Sequence, residues 1–176
     1  MRKHLLLSAL LLSGACSSAS EPSATKTYVG QYSVQVTEST VSVSLQGGGT
    51  FPCTNSYTMS GTLTLKIDAA GESVATVDGT QVETAHSTGD TCKAKGDLAT
   101  KWSPRLSVSG NNLSFADQTV VTTAGYTVTS KTSFSGTLSN SAVTGALVFS
   151  VSGAGVIGGT TNVTQNYSTS VNVTLR

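Results

Sequence analysis

Residues 134–151 read FSGTLSNSAVTGALVFSV, and each half of this stretch has an apolar residue or a glycine at every second position. A two-residue period is typical of a strand with one buried face and one solvent-exposed face. Phe134–Leu138 and Val143–Leu147 echo each other, as the two strands of one hairpin would. The stretch therefore predicts a pair of neighbouring antiparallel strands.

The same alternation extends over most of the chain, and no window has the apolar spacing of an amphipathic helix. The predicted strand segments are Tyr28–Val36, Val41–Leu45, Tyr57–Ile67, Val74–Thr84 with a possible break at Asp78-Gly79, Leu106–Val108, Leu113–Phe115, a segment that begins at Val120 or Val121, Tyr126–Leu138, Val143–Val151 and Val163–Leu175. Glycines recur at inward positions of these strands, which favours a sheet that bends sharply. The sequence predicts an all-β fold, an antiparallel up-and-down β-barrel of lipocalin-like outline with about eight to ten strands; a β-sandwich is the alternative.

The first residues have the layout of a secretory signal. Arg2, Lys3 and His4 precede the apolar run Leu5–Leu12, and small residues follow. This apolar run is too short to span a bilayer as a helix, which takes about 20 residues. We therefore expect the chain to be exported.

The end of this leader resembles the lipobox of bacterial lipoproteins, which is usually a Leu, two small residues and an invariant Cys. The matching stretch is Ser13-Gly14-Ala15-Cys16, with Ser13 where the family usually has Leu. The resemblance covers the leader only and implies that Cys16 becomes the first residue and carries thioether-linked and amide-linked acyl chains such as palmitate. Two or more chains anchor a protein stably where one does not.

These observations divide the chain into a lipoprotein signal peptide (1–15), a flexible polar tether (16–26) and a single β domain (27–176). The expected location is the cell envelope, as an outer-membrane lipoprotein on the periplasmic or the surface face. Ordinary cleavage near Ala19 or Ser20 would instead give a secreted protein. The membrane is thus the one predicted partner, through the N-terminal lipid.

If Cys16 is lipidated, Cys53 and Cys92 remain. Two remaining cysteines in an exported chain predict one structural disulfide. They lack the spacing and the further ligands that zinc requires, so we predict no metal site.

Composition excludes several classes of function. The formal net charge is +1, which offers no electrostatic footprint for nucleic acid. Only 11% of residues are charged, and the sole histidine beyond the leader, His86, has no motif around it that would orient a catalytic base. We expect no enzyme, no catalytic residue and no cofactor.

Trp102 is the strongest candidate for a binding residue. It lies between Lys101 and Arg105, and it is either a core plug at the closed end of a barrel or an aromatic platform for a ligand. Tyr28 and Tyr32 are candidates to face a ligand in the interior. The sequence favours an anchored binding or interaction module, with a small apolar ligand as one option. The alternative is a structural or adhesive envelope protein without a pocket.

Overall fold

The computed structural model describes residues 25–68, 72–87 and 97–176, and these form one all-β unit. Its nine strands are β1 (Lys26–Ser44), β2 (Thr50–Ile67), β3 (Val74–His86), β4 (Leu98–Trp102), β5 (Ser107–Ser109), β6 (Asn112–Thr123), β7 (Tyr126–Ser139), β8 (Ala142–Ile157) and β9 (Thr161–Leu175). The predicted signal (1–15), Cys16, most of the tether and Cys92 lie outside the described residues. Within the described ranges, no helix is long and apolar enough to cross a membrane.

All nine strands belong to one antiparallel sheet in the order β4-β3-β2-β1-β9-β8-β7-β6-β5. Neighbours in the sheet are also neighbours in the chain, except that the first strand pairs with the last, for example Ser39 with Asn166. A sandwich requires two sheets packed face to face. The sheet is instead a curled half-barrel, which confirms the all-β, up-and-down barrel prediction in outline.

The curl follows from a contact between Trp102 on β4 and Phe149 on β8. Five strand spacings separate β4 from β8, which in a flat sheet amounts to about 24 Å. The two ring centroids are 6.4 Å apart. The face that carries both rings is therefore the inner face of a strongly rolled sheet.

The two edges of the sheet meet at one end, which we call the closed end. The edge strands β4 and β5 are joined by residues 103–106 alone, so the end of β4 and the start of β5 lie at most about 18 Å apart. Leu106 N donates to Ser73 O at 2.8 Å, so this connection pairs with the start of β3. The next residue, Ser107, pairs with Ser114 of β6.

Beyond the closed end the edges separate. Over residues 116–123, β6 pairs only with β7 in the described part of the chain, and β4 pairs only with β3. We call the gap between β4 and residues 116–123 the open seam.

Two cross-strand glycine pairs lie on the inner face, Gly61 opposite Gly79 and Gly136 opposite Gly145. An added Cβ on Gly145 would lie 2.4 Å from Ser135 O and 2.6 Å from the Gly136 Cα. The backbones approach too closely at this pair for any side chain. The inward glycines predicted from the sequence are thus places where the sheet is tightly folded.

The interior changes character along the strands. Its apolar residues, which pack together toward the closed end, include Leu63, Leu65, Ala75, Val77, Leu106, Leu113, Phe134, Val143, Leu147, Val173 and Leu175. Toward the other end the inner face carries Glu38 and Asn55, both 3% exposed. The interior is therefore wholly apolar toward the closed end, whereas buried polar groups are interspersed among the apolar residues toward the other end.

The predicted strands differ from the structure in four places. β1 runs unbroken from Lys26 to Ser44, where Tyr28–Val36 and Val41–Leu45 were predicted as separate segments, because residues 37–40 also pair with β2. β6 is continuous from Asn112 and does not restart at Val120 or Val121, because full pairing with β7 maintains it even where its side chains are exposed. β3 continues through Asp78-Gly79, because Gly79 fits opposite Gly61. β4 was missed, since its five residues have too short a pattern to detect.

Candidate ligand-binding cavity

A cavity of about 480 Å³ lies inside the half-barrel, next to the open seam. β4 forms one wall, and β7 and β8 form the opposite wall; β1 and β9 contribute Glu38, Gln165 and Tyr167. The apolar part of its lining consists of Met59, Leu98, Trp102, Val128, Phe149, Val151 and Tyr167. An aromatic and aliphatic wall with a few polar groups is the usual make-up of a small-molecule site.

Three aromatic rings form a row between the core and the cavity. The centroid of Phe149 lies 5.4 Å from that of Tyr32 and 6.4 Å from that of Trp102. Phe149 is buried, whereas Trp102 is partly exposed and lines the cavity. Phe149 therefore packs between the Tyr32 and Trp102 rings.

The structure places the sequence-predicted binding residues in two different settings. Trp102 ends β4 beside the closed end, where it packs against the core and also lines the cavity. Tyr28 and Tyr32 are 6% and 5% exposed and belong to the packed core. Tyr32 extends over Gly79, where an added Cβ would lie 2.2 Å from the tyrosine Oη.

The cationic neighbours of Trp102 in the sequence do not face the cavity. Lys101 Nζ lies 3.3 Å from Asp78 Oδ2, and Arg105 pairs with Glu72. All four of these side chains are more than half exposed. They form ion pairs on the outer surface, and exposed ion pairs contribute little to the stability of a fold.

The polar side of the cavity contains residues that the sequence analysis missed. Glu38 is almost fully buried, and its Oε1 accepts a hydrogen bond from Thr40 Oγ1 at 3.2 Å. The Tyr126 hydroxyl donates to Gln165 Oε1 at 2.8 Å. It reaches Gln165 over Gly153, where a Cβ would lie 2.4 Å from that hydroxyl.

A signal for Glu38 is present in the sequence. Tyr28, Tyr32 and Val36 define the inward face of β1, and Glu38 continues the same two-residue period. A carboxylate at an inward position is unusual, because charged groups are seldom buried without partners. The same alternation predicts that Phe149 and Tyr167 face inward, but their contacts depend on how the sheet rolls, which the pattern does not contain.

Burial and the charge of Glu38 raise the pKa of nearby tyrosines. Burial, reinforced by the negative charge of Glu38, raises the pKa of Tyr167 to about 12 and also raises the pKa of Tyr126. Burial and then the charges of Glu38 and Glu83 raise the pKa of Tyr57. The Tyr57 hydroxyl has no hydrogen-bond partner among the described residues. Ionisation of these tyrosines is therefore disfavoured in the folded protein.

Alkaline conditions are expected to destabilise the fold for this reason. The pKa of Tyr167 is higher in the folded chain, about 12, than its ordinary value of 10.0, so the folded state retains a proton that the unfolded state releases. This contribution to stability is complete below pH 10 and is lost as the pH rises to about 12. Urea unfolding across this interval should show a smaller loss of free energy for Tyr167→Phe than for the wild type. An equal loss in both proteins would contradict the assignment.

Two other residues singled out in the sequence, Cys53 and His86, belong to β2 and β3. Cys53 is buried on the inner face of β2, while Cys16 and Cys92 lie outside the described residues. His86 ends β3, and its Nδ1 lies 3.6 Å from Glu83 Oε1. Within residues 25–68, 72–87 and 97–176, no group of three His, Cys, Asp or Glu side chains is arranged to hold a metal ion.

Comparison with known protein families, with curated proteins and with solved structures finds no match to this chain. Its function is therefore argued from the cavity itself.

Proposed function

We propose that this chain is a lipid-anchored binding protein of the bacterial cell envelope, and that it holds a small ligand in the cavity beside Trp102. The observation that carries the proposal is a cavity of about 480 Å³ that is lined by aromatic and aliphatic side chains of the inner face. Ligand sites generally measure about 300–1,000 Å³. A purely structural β domain gains nothing from such a space, because filling it with side chains would add stability.

The chemistry of the wall supports a ligand with an apolar body. Trp102, Phe149 and Tyr167 line the cavity with aromatic rings, and Met59 and Val151 add aliphatic surface. Gln81, Thr100 and Gln165 also line the cavity and bring polar groups. Apolar surface supplies affinity, and a small number of polar groups fixes the orientation of the ligand.

The anchor belongs to the same proposal. Cys16 would carry the lipid, and residues 17–25 would link it to the start of β1 at Lys26. Acyl chains contribute about 0.8 kcal/mol for each buried methylene, enough to hold a domain at a membrane surface when two or more are present. The location proposed is the outer membrane.

A disulfide between Cys53 and Cys92 completes the proposal. Ser87 N donates to Thr54 O at 2.8 Å, so the chain leaves β3 directly beside Cys53. Cys92 follows Ser87 by five residues, and an extended chain of that length spans at most about 18 Å. On the chain-entropy account, closing a loop of about 40 residues stabilises by roughly 4 kcal/mol.

Mass spectrometry of the protein purified from membranes tests the proposal in one experiment. We expect a mature chain that begins at an acylated Cys16, a mass two hydrogens below that of the reduced dithiol, and one small molecule per chain under native conditions. Cys16→Ser should move the protein from the detergent phase to the aqueous phase and keep the small molecule.

The result against the anchor would be an unacylated chain with the same partition as Cys16→Ser. The result against ligand binding would be a native mass equal to that of the chain alone, which favours the structural or adhesive alternative.

A further inference from the structure

The edge of β6 that borders the open seam is long and has none of the usual protection. Over residues 116–123 this strand pairs with β7 alone among the described residues, and its register with β7 is continuous. The segment reads ADQTVVTT and contains no lysine, arginine or proline. Folded proteins usually protect a strand edge with lysine, proline, a bulge or a covering segment, because unpaired backbone groups are a template for another strand.

Two hydrogen bonds show which backbone groups of β6 point away from β7. The N–H and C=O of one residue in an antiparallel strand point to the same side, and the side alternates along the strand. Leu138 N donates to Asn111 O at 2.8 Å, so the odd-numbered residues of this register are bonded to β7. Gln118 N donates instead to Asp117 Oδ1, also at 2.8 Å. The even-numbered residues therefore direct their backbone groups into the open seam.

The side chains in the middle of this segment are apolar and exposed. Val120 and Val121 are 53% and 55% exposed. Val121 pairs with Val128, which lines the cavity, so Val121 belongs to the inner face and Val120 to the outer face. A strand added beside β6 would cover both valines at once.

The segment is complementary to itself. A two-fold axis perpendicular to the sheet places two copies of β6 antiparallel, with inner residues beside inner residues. If the axis passes through Val120, this residue lies opposite Val120 of the second copy, and Val121 lies opposite Thr119. The one charged residue, Asp117, then lies opposite Thr123, and the two Asp117 residues are about 20 Å apart along the strands. No like charges are brought together.

The same register satisfies the backbone groups that face the seam. Val120 N would donate to Val120 O of the second copy, and Thr122 N would donate to Gln118 O, which gives two hydrogen bonds from each copy. The Gln118 N–H keeps its bond to Asp117. Pairing therefore requires no bond of the described chain to break.

We propose that a second copy of this chain pairs with β6 along residues 117–123, so that two half-barrels share one antiparallel sheet. A two-fold contact uses the same edge of both copies and therefore ends at a dimer. A single strand edge buries less surface than a standard protein interface, so the association should be weak and dependent on concentration. The proposal concerns the seam edge and is independent of ligand binding in the cavity.

Sedimentation equilibrium of the Cys16→Ser protein tests the proposal, since this form has no acylated cysteine to bring copies together. We expect a monomer–dimer equilibrium over about a hundredfold range of concentration. Amide hydrogen exchange at both ends of that range locates the contact. The amides of Val120 and Thr122 should exchange at least about tenfold more slowly at the higher concentration. Those of Thr119 and Val121, which are bonded to β7, should be protected equally at both.

Two substitutions of Val120 test the contact by different routes. Val120→Lys would place like charges opposite each other. Val120→Pro would remove an N–H that β7 does not use, and strand edges accept proline at such positions. Each should weaken dimerisation at least about tenfold.

Val29→Lys is the matched control. Val29 is 46% exposed on β1, but its backbone is paired on both sides, with Thr64 of β2 and with Arg176. This variant should dimerise within about twofold of the parent protein. Circular dichroism confirms that the variants are folded; if Val120→Pro is not, Val120→Lys and the amide exchange decide.

Three results would overturn the proposal. The first is a monomer at every concentration, and the second is a dimer that the folded Val120 variants retain. The third is a dimer that leaves the Val120 and Thr122 amides unprotected, because its interface would lie elsewhere. None of them bears on ligand binding, which the native mass measurement decides.

Discussion

Replacing Gly145 by alanine is expected to lower the free energy of unfolding by about 2–4 kcal/mol. The added Cβ would lie 2.4 Å from Ser135 O and 2.6 Å from the Gly136 Cα, and both are backbone atoms of the paired strand. Backbone atoms cannot rotate away as the end of a flexible side chain can. Relief would require β7 and β8 to separate at this glycine pair.

Gly47→Ala is the matched control. The nearest atom to an added Cβ there is Ser44 Oγ at 3.9 Å, an ordinary contact. Its effect in urea unfolding should stay within about 0.5 kcal/mol of the wild type. If Gly145→Ala behaved like this control, the close approach of β7 and β8 would not be needed for the fold.

Phe149→Ala is expected to cost about 3–5 kcal/mol, the range observed for truncating a buried phenylalanine. Phe149 is 1% exposed and contacts rings on two strands, Tyr32 on β1 and Trp102 on β4. Its removal takes away the contact that links opposite sides of the rolled sheet. Trp102 should then become more mobile and more hydrated, with fluorescence emission shifted to longer wavelength.

Phe51→Ala serves as the comparison, because Phe51 is 42% exposed. We expect this variant to retain most of its stability and its Trp102 emission. Similar losses in the two variants would mean that the packing of Phe149 contributes no more than an exposed ring does.

The sequence predicts a strand well where its paired residues are also alternately buried and exposed. Tyr57–Ile67 and Val143–Val151 alternate clearly because the same residues face the core and lie in the middle of the sheet. The prediction fails where pairing alone maintains a strand, as in residues 116–123 of β6. It also fails for β4, whose five residues are held by β3.

The candidate site was predictable only in part. The sequence left Trp102 open between a core residue and a binding residue, and in the structure its ring both packs against the core and lines the cavity. The sequence neighbours Lys101 and Arg105 suggested positive charge around Trp102. Lys101 projects outward because successive side chains of a strand point to opposite faces. Arg105 lies beyond the end of β4 and pairs with Glu72 on the surface. The pairing of Phe149 with Trp102 depends on the roll of the sheet, which a one-dimensional pattern does not contain.

The closed end is also the place where a tether would join the domain. β1 begins there, with Lys26 paired to Ile67, and Glu38 follows twelve residues later, about 40 Å along the strand. If the chain is anchored as we propose, the point of attachment and the polar end of the cavity lie at opposite ends of β1.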